Sequence, residues 1–295
     1  MTAVRRIAVV NTGSATLKLA VFEATAEGVR ESSSKKYEWR SSDDMPDTVE
    51  RALREVGAAP DLLGHRVVHG GDRFTEPVRI DAEIERALED LVALAPLHNA
   101  PALAAIRIAG KVFPETPSVA VFDTAFHAKR PGESMRYALP RDWQEELGFR
   151  RYGFHGIAHA SLARSCAEAS SIPPEDVTAV TLQLGAGCSA CAIRKGRSIE
   201  TSMGYTPLEG LVMATRSGNI DPAIVLALLR AGLSADEIED RLNRHSGLLG
   251  LAGTSDMREV LAADVRGEKD ARLALKLFIH RLVQTIGAYL TLLDG

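Results

Sequence analysis

Near its N-terminus the chain carries the stretch Ile7-Ala-Val-Val-Asn-Thr-Gly-Ser-Ala-Thr-Leu-Lys-Leu-Ala-Val-Phe22, in which two apolar, β-branched runs flank a segment of small and polar residues. Such runs on either side of a glycine-containing turn predict two strands. A plain hairpin accounts for the glycine. The amide of Asn11, the hydroxyl groups of the turn and Lys18 would also suit an anion, because small residues let backbone N–H groups approach a phosphate. The pattern leaves both interpretations open.

The second half of the chain repeats this pattern. A strand predicted over residues 177–184 is followed by the turn Gly185-Ala-Gly-Cys-Ser189 and by a return strand that extends to Ile193. The repeat predicts two α/β domains of the same βββαβα type, each with one glycine turn. Two such domains would clamp a polyphosphate between their turns.

Two further strands of the first half carry or precede a charged residue. Arg66 lies inside the apolar strand predicted over residues 62–69, where a charged side chain usually needs a partner or a ligand. Asp123 follows the strand predicted over residues 119–122. Because ligands of open α/β sheets gather at the carboxyl ends of strands, Asp123 is a candidate ligand-facing group. An Asp that caps the next turn is the simpler interpretation.

Helices are predicted between and after these strands. Asp81 is placed as the N-cap of one helix. A second helix, with Leu103 and Ile106 on its apolar face, is expected to have Pro101 in its first turn.

The stretch Arg150-Arg-Tyr-Gly-Phe-His-Gly-Ile-Ala-His159 is dense in positive charge and rings, which is unusual for a connector. A helix is predicted to begin just after His155-Gly156, with an apolar stripe at i, i+4, i+8 and i+11. That stripe comprises Ala158, Leu162, Cys166 and Ala169. A helix N-terminus attracts anions and neighbouring arginines add to the attraction, which suggests a phosphate or carboxylate site. Taken alone, the stretch favours the alternative, a surface loop with solvated arginines whose Tyr and Phe fill a gap in the core.

The length and composition of the chain limit the classes of protein to which it can belong. The chain has 295 residues, 45% hydrophobic and 25% charged, which is a globular composition with room for two domains. The formal net charge of −4 gives no reason to expect a nucleic-acid partner. No apolar run approaches the roughly 18 residues of a membrane span, so we expect a cytoplasmic protein without a membrane partner. The cysteines, Cys166, Cys188 and Cys191, make no disulfide framework and are expected to act as small hydrophobic side chains.

Six motifs, in family order, are similar to those of the acetate kinase family and its short-chain acyl kinase relatives. They are Asn11-Thr-Gly-Ser-Ala-Thr-Leu-Lys18, Gly64-His-Arg-Val-Val-His-Gly-Gly71, Ala95-Pro-Leu-His-Asn99, Phe122-Asp-Thr-Ala-Phe-His127, Arg150 to His159, and Pro207-Leu-Glu-Gly-Leu-Val-Met213 with Thr215-Arg-Ser-Gly218. That family belongs to the superfamily of sugar kinases, Hsp70 and actin. The resemblance therefore implies an α/β fold with two ribonuclease H-like domains around a cleft. We expect the domains to cover residues 1–149 and 150–295, the second being incomplete at its C-terminus.

The resemblance implies a kinase that transfers a phosphoryl group reversibly from ATP to acetate, which gives acetyl phosphate and ADP and serves acetyl-CoA biosynthesis. It also implies Mg²⁺ as cofactor and a homodimer as assembly. By motif, the catalytic residues would be Arg66, Asp123, His155 and Arg216. The substrate-binding residues would be Arg66 and the methyl-pocket residues Val68, Leu97, Phe154 and Pro207. Asn11 would help to hold Mg²⁺. The nucleotide would be bound by Ser14, Thr16, Lys18, Gln183, Leu184, Gly185, Ala186, Gly187, Asp256, Met257 and Arg258.

The chain departs from the family pattern in three places. Ala186 stands where the family has an Asn that reaches the nucleotide phosphates, and Asn219 stands where an Asp is common. The chain stops at Gly295, after a helix predicted over residues 270–293 and before the family's adenosine-binding loop, so we expect it to be a fragment of a longer protein. A propionate or other short-chain acyl kinase stays open, as does a catalytically weakened acyl- or nucleotide-binding relative, which Ala186 favours. A non-enzymatic actin- or Hsp70-like scaffold is disfavoured because neither use requires an acyl pocket.

Overall fold

The computed structural model describes residues 4–13 and 15–295. The chain divides into two compact units, which we call unit 1 (Met1–Phe126) and unit 2 (His127–Gly295). The domain boundary predicted between residues 149 and 150 stays a prediction. In the described residues, no helix has both the length and the apolar character needed to cross a membrane.

The elements of unit 1 are β1 (Arg5–Thr12), β2 (Thr16–Thr25), β3 (Gly28–Glu38), α1 (Met45–Arg54), β4 (Leu62–Val67), β5 (Val78–Arg79), α2 (Ala82–Asp90), α3 (Pro96–Val112) and β6 (Ser118–Phe122). Its strands form a mixed sheet with the order β3-β2-β1-β4-β6-β5. β1 pairs antiparallel with β2 and parallel with β4, and β4 pairs parallel with β6. The predicted strands and the Asp81 cap are confirmed, and the strand that contains Arg66 ends at Val67.

Alternation along β4 explains how an arginine is accommodated in a core strand. His65 and Val67 are buried, and successive side chains of a strand point to opposite faces of the sheet. Arg66 therefore faces away from the apolar cluster that receives Val67. In that cluster the rings of Phe74 and Phe122 stack with their centroids 4.9 Å apart.

The predicted start of α3 is wrong. The helix begins at Pro96, and Pro101 lies inside it instead of in its first turn. The buried amide of Asn99 accounts for the earlier start, because its oxygen accepts from the backbone N–H of His69 at 3.1 Å and its nitrogen donates to the carbonyl of His69 at 3.0 Å. These bonds hold the first turn of α3 against the segment that follows β4.

The elements of unit 2 are α4 (Gly132–Met135), α5 (Arg141–Leu147), α6 (Gly156–Ser170), β7 (Ala179–Leu184), β8 (Cys188–Arg194), β9 (Arg197–Thr201), α7 (Pro222–Arg230), α8 (Ala235–Arg244), α9 (Gly247–Ala252), α10 (Met257–Val265) and α11 (Lys269–Leu292). Its strands form an antiparallel sheet with the order β7-β8-β9. The predicted repeat of strand, glycine turn and strand is confirmed in β7 and β8. The predicted long C-terminal helix is confirmed as α11.

The start of α6 is as predicted, but its predicted apolar stripe is wrong. The buried residues of α6 are Gly156, His159, Ala163 and Ala167, whereas Leu162 is 38% exposed. Small residues let the helix pack closely on the sheet. His159 can be buried because both of its ring nitrogens lie at hydrogen-bonding distance from hydroxyl groups of the sheet.

Two of the cysteines behave as expected. Cys188 and Cys191 are buried in β8, and Cys166 is half-buried. Burial raises the pKa of Cys188 to about 11 and that of Cys191 to about 12. Both side chains are therefore protonated thiols at neutral pH.

A pair of glycine substitutions in unit 1 tests this packing. A Cβ on Gly70 would lie 2.6 Å from the carbonyl oxygen of Phe74, whereas a Cβ on Gly110, in α3, would meet nothing within 4 Å. We expect Gly70→Ala to destabilise the protein by about 1–3 kcal/mol, because neither the backbone nor the neighbouring Phe122 ring can yield freely. We expect Gly110→Ala to stabilise it by about 0.5–1 kcal/mol, because alanine loses less backbone entropy in a helix. Urea unfolding midpoints check both, and equal midpoints for the two variants would contradict the packing.

Candidate functional site

Three polar side chains of unit 1 meet at the carboxyl ends of its parallel strands. Asn11 lies near the end of β1, Arg66 near the end of β4, and Asp123 directly after β6. Parallel pairing of these strands places the three positions side by side, although Arg66 and Asp123 are 57 residues apart in sequence. We call these three residues the unit 1 cluster.

Arg66 is held by both of its neighbours. Its Nε donates to Asp123 Oδ1 at 3.1 Å, its Nη2 donates to Oδ2 at 2.5 Å, and its Nη1 donates to Asn11 Oδ1 at 3.1 Å. The Asp123 side chain is 3% exposed and the Arg66 side chain 29% exposed. Burial works against the charge of Arg66, but the Asp123 carboxylate outweighs it and raises the pKa of Arg66. Each terminal nitrogen of Arg66 keeps a second N–H beyond these bonds, with which it could bind an anion.

The turn between β1 and β2 lies beside this cluster. Lys18 is opposite Asn11 in the register of β1 and β2, and its side chain is exposed. Thr16 closes the turn, because its carbonyl accepts from the N–H of Gly13 at 2.7 Å. Ser14, which the sequence also predicted to bind the nucleotide, lies outside the described residues. The roles of Thr16 and Lys18 stay predictions.

In unit 2, His155 lies at the N-cap of α6 with a left-handed backbone, φ 59°. Such a conformation costs a non-glycine residue about 1–3 kcal/mol and persists only where the surroundings impose it. One constraint comes from the ring of His127, whose Nε2 lies 3.0 Å from the carbonyl oxygen of Phe154. Burial lowers the pKa of His127 well below its usual value, and Arg130 adds to the effect, so this ring is neutral at pH 7.

Gly187 leaves a space that His155 and Arg216 both border. A Cβ on Gly187 would lie 3.3 Å from Nε2 of His155 and 3.5 Å from Nη1 of Arg216. A side chain at position 187 would therefore crowd His155 and would occupy the space between the two nitrogen-bearing groups. We call His155, Gly187 and Arg216 the unit 2 cradle. Two nitrogen-bearing side chains around a small space form an arrangement that suits an anion.

Arg216 reaches the cradle from the loop after β9. Its Nη1 donates to the carbonyl of Pro207 at 3.4 Å. Burial lowers the pKa of Arg216. A guanidinium still keeps its charge at neutral pH, and a partly desolvated cation interacts strongly with an anion.

A half-buried clamp, which the sequence did not reveal, holds the loop that carries Pro207. Glu209 accepts hydrogen bonds from Arg151 Nη1 and from the hydroxyl of Tyr137, and that hydroxyl in turn accepts from the N–H of Tyr205 at 2.8 Å. Burial and the Glu209 carboxylate raise the pKa of Tyr137. Arg151, the second arginine of the charged stretch, is therefore a structural partner of this loop and not a solvated surface residue.

The predicted nucleotide residues of unit 2 fall into two groups. Leu184, Gly185, Ala186, Asp256 and Met257 line one cavity of about 500 Å³ together with Cys188, Ala214, Leu248, Ser255 and Phe278. Gln183, Gly187 and Arg258 are not in its lining. Asp256 caps α10, since its side chain accepts from the N–H of Arg258 at 2.8 Å, and its hydrogen bond with the Arg258 side chain lowers the pKa of Asp256 to about 2. The cavity is large enough for a small-molecule ligand.

The four predicted methyl-pocket residues differ in exposure. Val68 is buried just after β4, whereas Leu97, in the first turn of α3, is 47% exposed. Phe154 is buried, and Pro207 is half-buried in the clamped loop. Their shared role in a pocket stays a prediction.

Asn219, one of the departures, has a structural explanation. Its side-chain oxygen accepts from the N–H of Gly210 at 2.8 Å, a bond that an Asp at this position could also make. The other departure, Ala186, lies in the turn between β7 and β8, where its carbonyl accepts from the N–H of Ala214 at 3.0 Å. This backbone bond does not depend on the side chain.

Comparison with solved structures confirms the predicted α/β fold class of ribonuclease H-like domains. The chain is similar to a propionate kinase from Francisella tularensis, with a TM-score of 0.86 and 37% identity over 97% of this chain and 80% of that one. It is also similar to the acetate kinase of Porphyromonas gingivalis, with a TM-score of 0.85 and 31% identity over 99% of this chain and 81% of that one. Both similarities cover nearly all of the chain.

Sequence comparison gives the family. The model of the acetokinase family matches residues 43–295. An acetate kinase of Synechococcus sp. is 53% identical over 233 residues, which are 79% of this chain and 58% of the relative. The chain belongs to the acetokinase family. It spans about three fifths of the length of the first curated relatives that it matches.

A double-mutant cycle tests the unit 1 cluster. We expect Arg66→Met and Asp123→Asn to be coupled by about 2–3 kcal/mol in urea unfolding, because either change alone leaves a buried polar group without its partner. The matched control is the pair Arg73 and Glu83, whose side chains are 51% and 72% exposed. For Arg73→Met and Glu83→Gln we expect a coupling below about 1 kcal/mol. Equal coupling in the two cycles would contradict the importance of the buried pair.

Proposed function

We propose that this protein catalyses the reversible, ATP-dependent phosphorylation of acetate to acetyl phosphate. A carboxylate oxygen of acetate attacks the γ-phosphorus of ATP, a new P–O bond forms, and the bond to the β-phosphate oxygen breaks, with its electron pair leaving on ADP. Membership of the acetokinase family supports this reaction. The observation that carries the proposal is the glycine-lined space bordered by both His155 and Arg216.

The unit 1 cluster would bind the carboxylate of acetate. A carboxylate is already ionised at neutral pH, so the attack needs no general base. Asp123 therefore contributes by holding Arg66 in place and by balancing its charge, with the two N–H groups that Arg66 keeps directed to the substrate. An unpaired Asp123 carboxylate would instead repel an acetate beside it.

The unit 2 cradle would bind the phosphoryl group in transfer. Such a group spreads negative charge over its equatorial oxygens, and catalysis consists mainly of positioning and electrostatic stabilisation. Arg216 supplies a partly desolvated cation, and His155 supplies a ring N–H. A covalent enzyme intermediate is not needed for this chemistry.

Mg²⁺ fits this proposal through Asn11. The amide oxygen of Asn11 is a donor of the type that Mg²⁺ prefers, and it keeps a second lone pair beside the hydrogen bond that it accepts from Arg66 Nη1. The described residues include no group of three or more His, Cys, Asp or Glu side chains that could hold a metal alone. Mg²⁺ in kinases commonly takes few protein ligands, with water and substrate phosphates as the rest. When bound, the ion would neutralise phosphate charge.

We further propose that the enzyme acts in the cytoplasm and as a homodimer. The resemblance to the acetate kinase family, which the six sequence motifs carry, is the support for both. Light scattering coupled to size exclusion would measure the assembly, and a mass equal to that of one chain would contradict the homodimer.

Removal of either arginine tests the mechanism. We expect Arg66→Ala and Arg216→Ala each to lower kcat by about 10²–10³, because loss of one positioned donor to developing charge typically has this effect. The assay is ATP-dependent formation of acetyl hydroxamate. The matched controls are Arg73→Ala in unit 1 and Arg244→Ala in unit 2, which remove exposed, ion-paired arginines and should leave kcat unchanged. Near-normal turnover in either test variant would remove that arginine from the mechanism.

The chain length of the carboxylic acids that serve as substrates tests the methyl pocket. Acetate and propionate should both be used, with longer acids progressively rejected, because one methylene is worth only about 1–3 kcal/mol in an apolar pocket. We expect Val68→Ala to improve kcat/KM for butyrate relative to acetate, since it removes buried volume. Equal kcat/KM for acetate and hexanoate in the unchanged protein would overturn the pocket assignment.

A further inference from the structure

A chain of hydrogen bonds runs behind His155 through the interior of unit 2. Nδ1 of His155 lies 2.9 Å from Oγ of Ser189, and the same oxygen lies 2.8 Å from Nε2 of His159. Nδ1 of His159 lies 2.8 Å from Oγ1 of Thr181. His155 is the N-cap of α6 and His159 lies inside that helix, while Ser189 and Thr181 belong to β8 and β7. The helix and the sheet are therefore linked by one continuous polar path, which we call the relay.

The relay is closed to solvent beyond His155. His159 and Ser189 are fully buried, and Thr181 is 8% exposed. Burial lowers the pKa of His159 to about 4, and the neighbouring His155 adds to this effect. His159 is therefore neutral at pH 7 and carries a proton on only one of its two ring nitrogens.

If both histidines are neutral, the hydrogen bonds of the relay can run in two directions, which we call the first order and the reverse order. The hydroxyl of Ser189 has one proton, so it donates to one histidine and accepts from the other. In the first order Thr181 donates to Nδ1 of His159, Nε2 of His159 donates to Ser189, and Ser189 donates to Nδ1 of His155. The proton of His155 then lies on Nε2. In the reverse order each donor becomes an acceptor, and Nε2 of a neutral His155 carries a lone pair instead.

The surroundings of Nε2 favour the first order. This nitrogen borders the space at Gly187 that Arg216 also borders. A lone pair there would face the oxygens of an anion and would repel them, whereas an N–H would donate to them. Protonating both nitrogens would instead place a second positive charge beside the Arg216 guanidinium, which is unfavourable in a partly buried site.

We propose that Ser189 and His159 are positioning residues that hold His155 in the tautomer with its proton on Nε2, directed toward the transferring phosphoryl group. This inference deepens the proposed function and rests on it for the identity of the anion. Neither Ser189 nor His159 touches the reactants. They act through the ring of His155, whose hydrogen-bond donor they keep in place before the substrates arrive.

The tautomer can be read directly in the whole, substrate-free chain labelled with ¹⁵N-histidine. Long-range ¹H–¹⁵N correlation spectra distinguish the two tautomers of each ring, and His155→Asn identifies the signals of His155 by their loss. We expect the Nε2–H tautomer for His155 in the unchanged protein. A His155 signal of the Nδ1–H tautomer, or of the doubly protonated ring, at pH 7.5 would overturn the proposal without any relay variant.

Ser189→Ala tests the cause, because it removes the donor to Nδ1 while adding no bulk. We expect His155 to populate both tautomers in this variant, and kcat to fall by about tenfold or more with a smaller change in KM for acetate. Ser198→Ala is the matched control, since Ser198 is equally buried in the same sheet and lies 2.8 Å from a different ring, that of His127. The control should retain the Nε2–H tautomer of His155. An unchanged tautomer in Ser189→Ala would overturn the proposal.

The two readouts separate this inference from the proposed function. The spectra need neither ATP nor acetate, so they decide the tautomer even in a protein that forms no acetyl phosphate. Absence of acetyl phosphate formation in the unchanged protein would count against the proposed function, and with it against a phosphoryl group as the anion. Normal formation of acetyl phosphate by the unchanged protein, together with a His155 tautomer that does not change in Ser189→Ala, would count against the relay alone.

Discussion

Parallel pairing of β4 with both β1 and β6 is the constraint on which the unit 1 cluster depends. It brings Arg66 to Asp123 and to Asn11, each more than fifty residues away in sequence. A carboxylate as deeply buried as Asp123 would be costly on its own, and the arginine offsets that cost with two-point geometry. The same contacts restrict a long side chain to one orientation. The cation that would meet a substrate is thus already ordered when folding is complete.

In unit 2 the geometry around the site depends on glycines, which have no side chain. At Gly187 the lack of a Cβ keeps open the space bordered by His155 and Arg216. Gly153 has φ +77°, and a Cβ there would lie 2.4 Å from Cγ2 of Thr201. Gly153 is therefore needed for its backbone freedom and for its small size, whereas Gly187 keeps the space between His155 and Arg216 open. The buried hydroxyls and the Glu209 clamp then fix what surrounds the open space, since a cavity lined by mobile side chains would not hold a defined charge arrangement.

The differences between prediction and structure have one cause. In α6 the predicted stripe followed apolar residue types, but the buried stripe includes His159, because hydroxyl groups on two strands pair with its ring. In α3 the predicted start followed Pro101, but Asn99 draws an earlier segment into the helix through bonds to His69. In both cases a polar side chain found buried partners that lie far away in sequence. The short spacing of His155 and His159 was a visible signal of the relay, since it places one ring at the N-cap of α6 and the other in its first turns.

The sequence by itself determined the strands that lead to the site, the two glycine turns, the Asp81 helix cap and the family, because each of these depends on residues that are near one another in the chain. It also predicted which side chains carry charge at the ends of strands. Only the tertiary structure decided that Asp123 pairs with Arg66, that Arg151 holds Glu209, and that Ser189 joins two histidines. Such partners are chosen by strand pairing and helix packing, which bring together residues separated by tens of positions. A local pattern contains the chemistry of each side chain but not the distance to its partner.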